Sequence, residues 1–144
     1  MRQLKICLWV VGVLYSLALV GLFMKSSTIE SVATTFGSPA FPDAPLFAYT
    51  LRVMLGVYSA IGLFHVILAL NPMKYGALVP FAGLAAILVG AICLVWGVKV
   101  RLSALVYLAD FLFCELFGAL IVVFWLRARP AEPLPQPEQL ELSE

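Results

Sequence analysis

The stretch PLFAYTLRVMLGVYSAIGLFHVILAL, from Pro45 to Leu70, decides how the rest of the chain is read. About 20 apolar residues, at roughly 1.5 Å of rise each, cross the hydrocarbon of a bilayer, and this run is longer than that. It also carries Arg52 and the only histidine, His65. Charged groups are expensive at membrane depth, so they face inward and take partners from other segments.

The whole composition points the same way. Of 144 residues, 63% are hydrophobic and 12% charged. A soluble domain is about half apolar and roughly a quarter charged. Such a chain has lipid as its solvent, and membrane lipids are its first expected partners. The net charge of +1 supplies no basic field for nucleic acid. Cys7, Cys93 and Cys114 have no CxxC spacing and lie in apolar runs, so they read as small packing residues. No cofactor or metal is expected, and a haem held between two histidines is excluded within one chain.

Upstream of the central stretch lies a first apolar segment, about 6–24. Arg2 and Lys5 precede it, as they would a signal peptide. A signal's apolar core is about 7–15 residues, shorter than this run. The nearest small-x-small site, Ser31-Val32-Ala33, lies well beyond it, so the segment reads as a retained span. In the loop that follows, Ser27-Thr28-Ile29-Glu30 fits a capping box. Ile29, Val32, Ala33 and Phe36 then recur at helical spacing, with Gly37 and Pro39 as a stop. The pattern predicts an amphipathic helix, Thr28–Phe36. Asp43 is placed to cap the central helix, with Pro45 in its first turn.

Downstream, Asn71-Pro72 predicts a tight antiparallel hairpin into a third segment, 72–96, in which Pro80 should form a kink. Gly76, Gly83, Gly90 and Gly97 recur every seventh residue, and Ala82, Ala86 and Gly90 add a row at four-residue spacing. Seven residues nearly close two helical turns, so these small residues form a seam where another backbone approaches closely. A fourth segment, about 103–126, carries Asp110 and Glu115. The Pro- and Glu-rich tail, 127–144, has too little apolar surface to order itself. The expected fold is all-α: an integral membrane four-helix bundle, up-down-up-down, with a short amphipathic helix in the first loop.

Topology follows from basic residues. Arg2, Lys5, Lys74, Arg127 and Arg129 fall on one side, and Lys25, Lys99 and Arg101 on the other. Five against three places both termini in the cytoplasm of a bacterial inner membrane. Trp9, Trp125 and Trp96 fall at segment ends, where aromatic belts sit.

Arg52 is seven residues past Pro45 and Asp110 seven past Ser103, each roughly 10 Å down from the same side. Equal depth predicts an ion pair between them. Glu115 lies about 18 Å down and Tyr58 about 20 Å, so Tyr58, or Tyr15 and Ser16 of the first segment, is expected to hydrogen-bond the Glu115 carboxyl. His65, near the cytoplasmic end, reads as an interfacial residue that snorkels towards water.

The stretch Arg52-Val53-Met54-Leu55-Gly56-Val57-Tyr58-Ser59-Ala60-Ile61-Gly62, the Asn71-Pro72 hairpin and Asp110 together resemble small, uncharacterised four-helix bacterial membrane proteins with an Arg-x-x-x-Gly second helix. The resemblance covers most of residues 1–126 and implies a fold without an established activity. Small multidrug transporters need a glutamate in the first helix, and here there is none. Glutathione-dependent membrane enzymes carry Glu-Arg-x-x-x-Asn, but Leu51 precedes Arg52. Quinone-linked thiol oxidoreductases need paired cysteines. The expectation is therefore a non-catalytic membrane protein, either an accessory subunit with a protein partner or second copy, or a binder of an apolar ligand. A proton-linked transporter or lipid-modifying enzyme built on Arg52, Asp110 and Glu115 is the alternative.

Overall fold

The computed structural model describes residues 1–128. Helices α1 (Arg2–Ser16) and α2 (Ala18–Phe23) form one long segment broken only at Leu17. They are followed by α3 (Ser26–Thr35), α4 (Pro45–Leu70), α5 (Leu78–Lys99) and α6 (Ala104–Ala128). No strand occurs among the described residues. Four stretches, Arg2–Phe23, Pro45–Leu70, Leu78–Lys99 and Ala104–Ala128, are long and apolar enough to cross a membrane. Their outward faces are apolar too: Phe81, Leu88, Leu105 and Leu112 are each more than 60% exposed. Soluble proteins rarely present contiguous apolar surface on this scale.

The amphipathic helix forms as α3, but its ends are made differently at each side. The capping box does not close: Lys25 is the N-cap, without a side-chain cap bond, and the Glu30 carboxylate instead accepts the Phe41 backbone N–H at 2.9 Å. That bond ties α3 to the loop entering α4. At the other end the expected glycine stop is present. Gly37 has φ of +82°, its N–H donates to the Thr34 carbonyl, and the Ser38 N–H donates to that of Ala33. This double bond is a Schellman ending.

Pro45 opens α4 as expected, although Ala44 is its N-cap and Asp43 makes no cap bond. The hairpin reading at Asn71-Pro72 needs correction. Pro72 does not start α5; residues 72–77 form a turn in which the Lys74 N–H donates to the Asn71 carbonyl at 3.1 Å. Pro80 consequently falls in the first turn of α5, where its missing N–H has no intrahelical partner to lose. The expected cause of a kink is therefore removed. Arg127 and Ala128, expected in the tail, are helical, and the remainder of that tail lies outside the described residues.

Packing divides the long helices into two close pairs. In the first, α1 meets α4 where Gly12 and Gly62 allow it. A Cβ on Gly12 would stand 2.8 Å from Val66 Cγ2, and one on Gly62 would strike Ser16. In the second pair, α5 meets α6 at Gly83 and Gly118, where an added Cβ on either would lie within 2.8 Å of the other's carbonyl oxygen. Gly90 abuts Cys114, and Gly97 abuts the Tyr107 ring. Residue numbers rise along one member of each pair as they fall along the other. The pairs join through α1 and α6, whereas α4 and α5 barely touch. The buried core, including Leu4, Leu8, Leu68, Val79 and Ile121, gathers at the end that holds the N-terminus and the α4–α5 turn. Gly76 is not in the seam: it has φ of +46° in that turn, with open space where a Cβ would be. Of the alanines, Ala82 is buried and Ala86 half-buried.

Candidate functional site

The two charges expected to pair take different surroundings. Arg52 lies on the face of α4 that packs against α2. Its guanidinium Nη1 donates to the carbonyls of Gly21, at 2.8 Å, and Leu22, and its Nη2 donates to that of Met24 at 2.6 Å. These oxygens are at the C-terminal end of α2, which carries the negative end of the helix dipole; only that of Gly21 also accepts a backbone N–H, from Met24. The fork of an arginine suits several acceptors at once. Lys5 does the same on a smaller scale, with Nζ 3.4 Å from the Leu70 carbonyl at the end of α4. The expected Arg52–Asp110 ion pair is absent. α4 turns Arg52 towards the first span rather than towards α6.

Asp110 is exposed and has no hydrogen-bond or ion-pair partner among the described residues. It borders a cleft of about 230 Å³ to which every long segment contributes. The first supplies Leu14, Tyr15 and Ala18, and α4 supplies Tyr58. Val89 and Cys93 come from α5, with Asp110, Phe113 and Cys114 from α6. Tyr15 is the organising side chain. Its ring stacks on Tyr58 with centroids 5.8 Å apart, meets Phe113 edge-on, and its hydroxyl is 3.4 Å from Cys114 Sγ. The structure thus collects Tyr15, Tyr58 and Asp110 at one place. Arg52 is not among the residues lining it.

Glu115 is also elsewhere. Five residues beyond Asp110, it is turned roughly 140° around the helix. Its carboxylate lies at the α5–α6 seam, where Oε1 would be 3.2 Å from a Cβ on Gly90. It receives no hydrogen bond from Tyr58, Tyr15 or Ser16, contrary to expectation. His65 needs a second correction. It is only 4% exposed, and far from snorkelling it packs between Tyr15 and Phe64. Its Nδ1 bonds the Ile61 carbonyl at 2.8 Å, which fixes the proton on that nitrogen, and Nε2 has no partner. The ring closes the packed side of Tyr15, so its role follows from α1–α4 packing.

Sequence reasoning missed Cys93 and Cys114 as cleft residues and Gly12, Gly62 and Gly118 as contact points. Gly12 and Ser16, four apart on the first span, were an available small-residue signal. The cysteines carried none, since a buried thiol and a cleft thiol look alike in an apolar run.

Comparison with known proteins returns nothing to set beside this geometry: no family model, curated protein or solved structure matches the chain.

Proposed function

We propose that the chain crosses a bacterial inner membrane four times as an up-down-up-down bundle with both termini in the cytoplasm, and that it binds an apolar ligand, without catalysis, in the cleft between its spans. The observation that carries the binding reading is the cleft itself. Glycine contacts join α1 to α4 and α5 to α6, and the two pairs meet through α1 and α6, but α4 and α5 part from each other beyond their turn. Small-molecule sites are mostly apolar concavities with a few polar groups that fix orientation, and this one offers aliphatic and aromatic walls, two phenols and one carboxylate. A volume of about 230 Å³ is below the usual 300–1,000 Å³ of a ligand pocket, so only part of a ligand enters. The rest extends through the gap into the bilayer.

A transporter or enzyme built on Arg52, Asp110 and Glu115 is disfavoured by where those groups lie. Arg52 is consumed by three carbonyls and Glu115 sits in the seam. Asp110 alone is left facing the cleft.

The test is retention. Protein purified in nanodiscs is extracted and its lipophilic small molecules are identified by mass spectrometry, beside a Val89→Trp variant that fills the cleft. Wild type should retain a species that the variant loses. Identical extracts from both, with the variant still folded, contradict the binding reading. Membrane orientation has its own check: a C-terminal reporter should fluoresce in the cytoplasm, and periplasmic signal alone overturns that part.

A further inference from the structure

We infer that the group this cleft receives is a protonated amine, so that the ligand is a lipophilic cation with its tail in the bilayer. The inference rests on the cleft-binding reading and adds the charge of the ligand to it. Asp110 is the observation. A carboxylate in a membrane span is costly and normally takes a partner, as Arg52 does. Asp110 has none among the described residues, and it is exposed at the cleft. No lysine, arginine or histidine lines that space. Arg52, the basic residue of α4, donates instead to three carbonyls at the end of α2. The missing complement to Asp110 is thus a positive charge that the described residues do not provide.

The remaining walls agree with that charge. An ionised carboxylate only accepts hydrogen bonds, so it matches an ammonium, which only donates. Tyr58 is 39% exposed and its hydroxyl makes no hydrogen bond among the described residues, which leaves an acceptor oxygen and an aromatic face for the same cation. Cations are attracted to the faces of tyrosine rings within about 6 Å, and Tyr15 stacks behind Tyr58 to hold it in place. An anionic head would meet Asp110 with no positive group to offset the repulsion. The small volume limits what enters to the head, and Leu14, Ala18 and Val89 give the first part of a tail an apolar path out.

The experiment uses three photoreactive probes with the same diazirine-bearing twelve-carbon chain, ending in a primary amine, an alcohol or a carboxylate. Each is added to the full chain in nanodiscs, irradiated, and the labelled peptides are quantified by mass spectrometry. The expected result is labelling around Leu14–Ala18 and Val89–Cys93 by the amine at about tenfold the level of the alcohol, with the carboxylate lowest. Asp110→Asn should reduce the amine to the level of the alcohol, and Asp110→Glu should keep the preference. Because Asp110 makes no hydrogen bond or ion pair among the described residues, both variants should fold, which thermal unfolding checks. If amine and alcohol label the cleft equally, or if Asp110→Asn leaves the preference intact, the cationic head is wrong and cleft binding survives. If none of the three probes labels the cleft above the outer faces of the helices, the binding reading itself fails.

Discussion

Arg52 and Asp110 are both ionisable residues of long apolar helices, yet they occupy opposite kinds of region. Around Arg52 the structure is closed. Three carbonyls at the end of α2 surround its guanidinium, and α2 lies directly against α4. Around Asp110 it is open, with a cleft on one side and no donor among the described residues. A charge in a membrane segment therefore has two readings. One that satisfies a neighbouring helix terminus is part of the scaffold. One left facing a cavity needs something from outside the chain.

The largest effect should come from breaking the closed region. Arg52→Leu removes hydrogen bonds to three carbonyls and leaves those of Leu22 and Met24 without a donor among the described residues. Charged hydrogen bonds contribute about 1.5–3 kcal/mol each in mutational series, and part of the loss is recovered by relaxation of a helix end, so about 3 kcal/mol is expected. Arg52→Lys keeps the charge without the fork and should lose roughly half as much. Thermal unfolding in detergent measures both. An Arg52→Leu protein that melts with wild type would mean that the carbonyl contacts contribute nothing.

The next effect compares packed and open glycines. On Gly83 a methyl group meets a backbone carbonyl that has nowhere to move, so Gly83→Ala should cost about 1–3 kcal/mol. Gly56 has nothing within 4 Å of an added Cβ. Gly56→Ala should gain up to about 1 kcal/mol from helix propensity. The two changes should thus have opposite signs in the same unfolding assay. Equal signs would indicate that the seam is looser than its distances imply.

Smaller still is the change at the open region. Asp110→Asn removes a charge but no contact, so stability should stay within about 0.5 kcal/mol of wild type. A loss as large as that of Arg52→Leu would mean that Asp110 has a structural partner.

Much of this fold was readable from residue type and spacing, because span length and helical periodicity are properties of single segments. Four long apolar helices, α3 and its Gly37 ending are all present, although α5 begins at Leu78 rather than at Pro72. The seam at Gly83, Gly90 and Gly97 was legible for the same reason: seven-residue spacing fixes a face. What failed depended on neighbours. Pro72 and Pro80 were assigned to a helix start and a kink, because nothing local says that residues 72–77 turn before α5 begins. Glu30 was given to its own helix end when a loop amide eleven residues away was the better-placed donor. The ion pair failed most instructively. Rise per residue gives depth, but the direction in which a side chain leaves its helix depends on which helix lies alongside, and backbone carbonyls of a helix end are invisible as acceptors in a sequence.

The most direct measurement of that claim is a double-mutant cycle between Arg52 and Asp110. Wild type, Arg52→Leu, Asp110→Leu and the double variant are unfolded under one detergent condition. If Arg52 belongs to the α2 carbonyls and Asp110 to the cleft, the two changes should add, with a coupling below about 0.5 kcal/mol. The double variant should be no more stable than Arg52→Leu by more than the separate effect of Asp110→Leu. Recovery of stability in the double variant, with coupling well above that limit, would contradict the account and restore the ion pair.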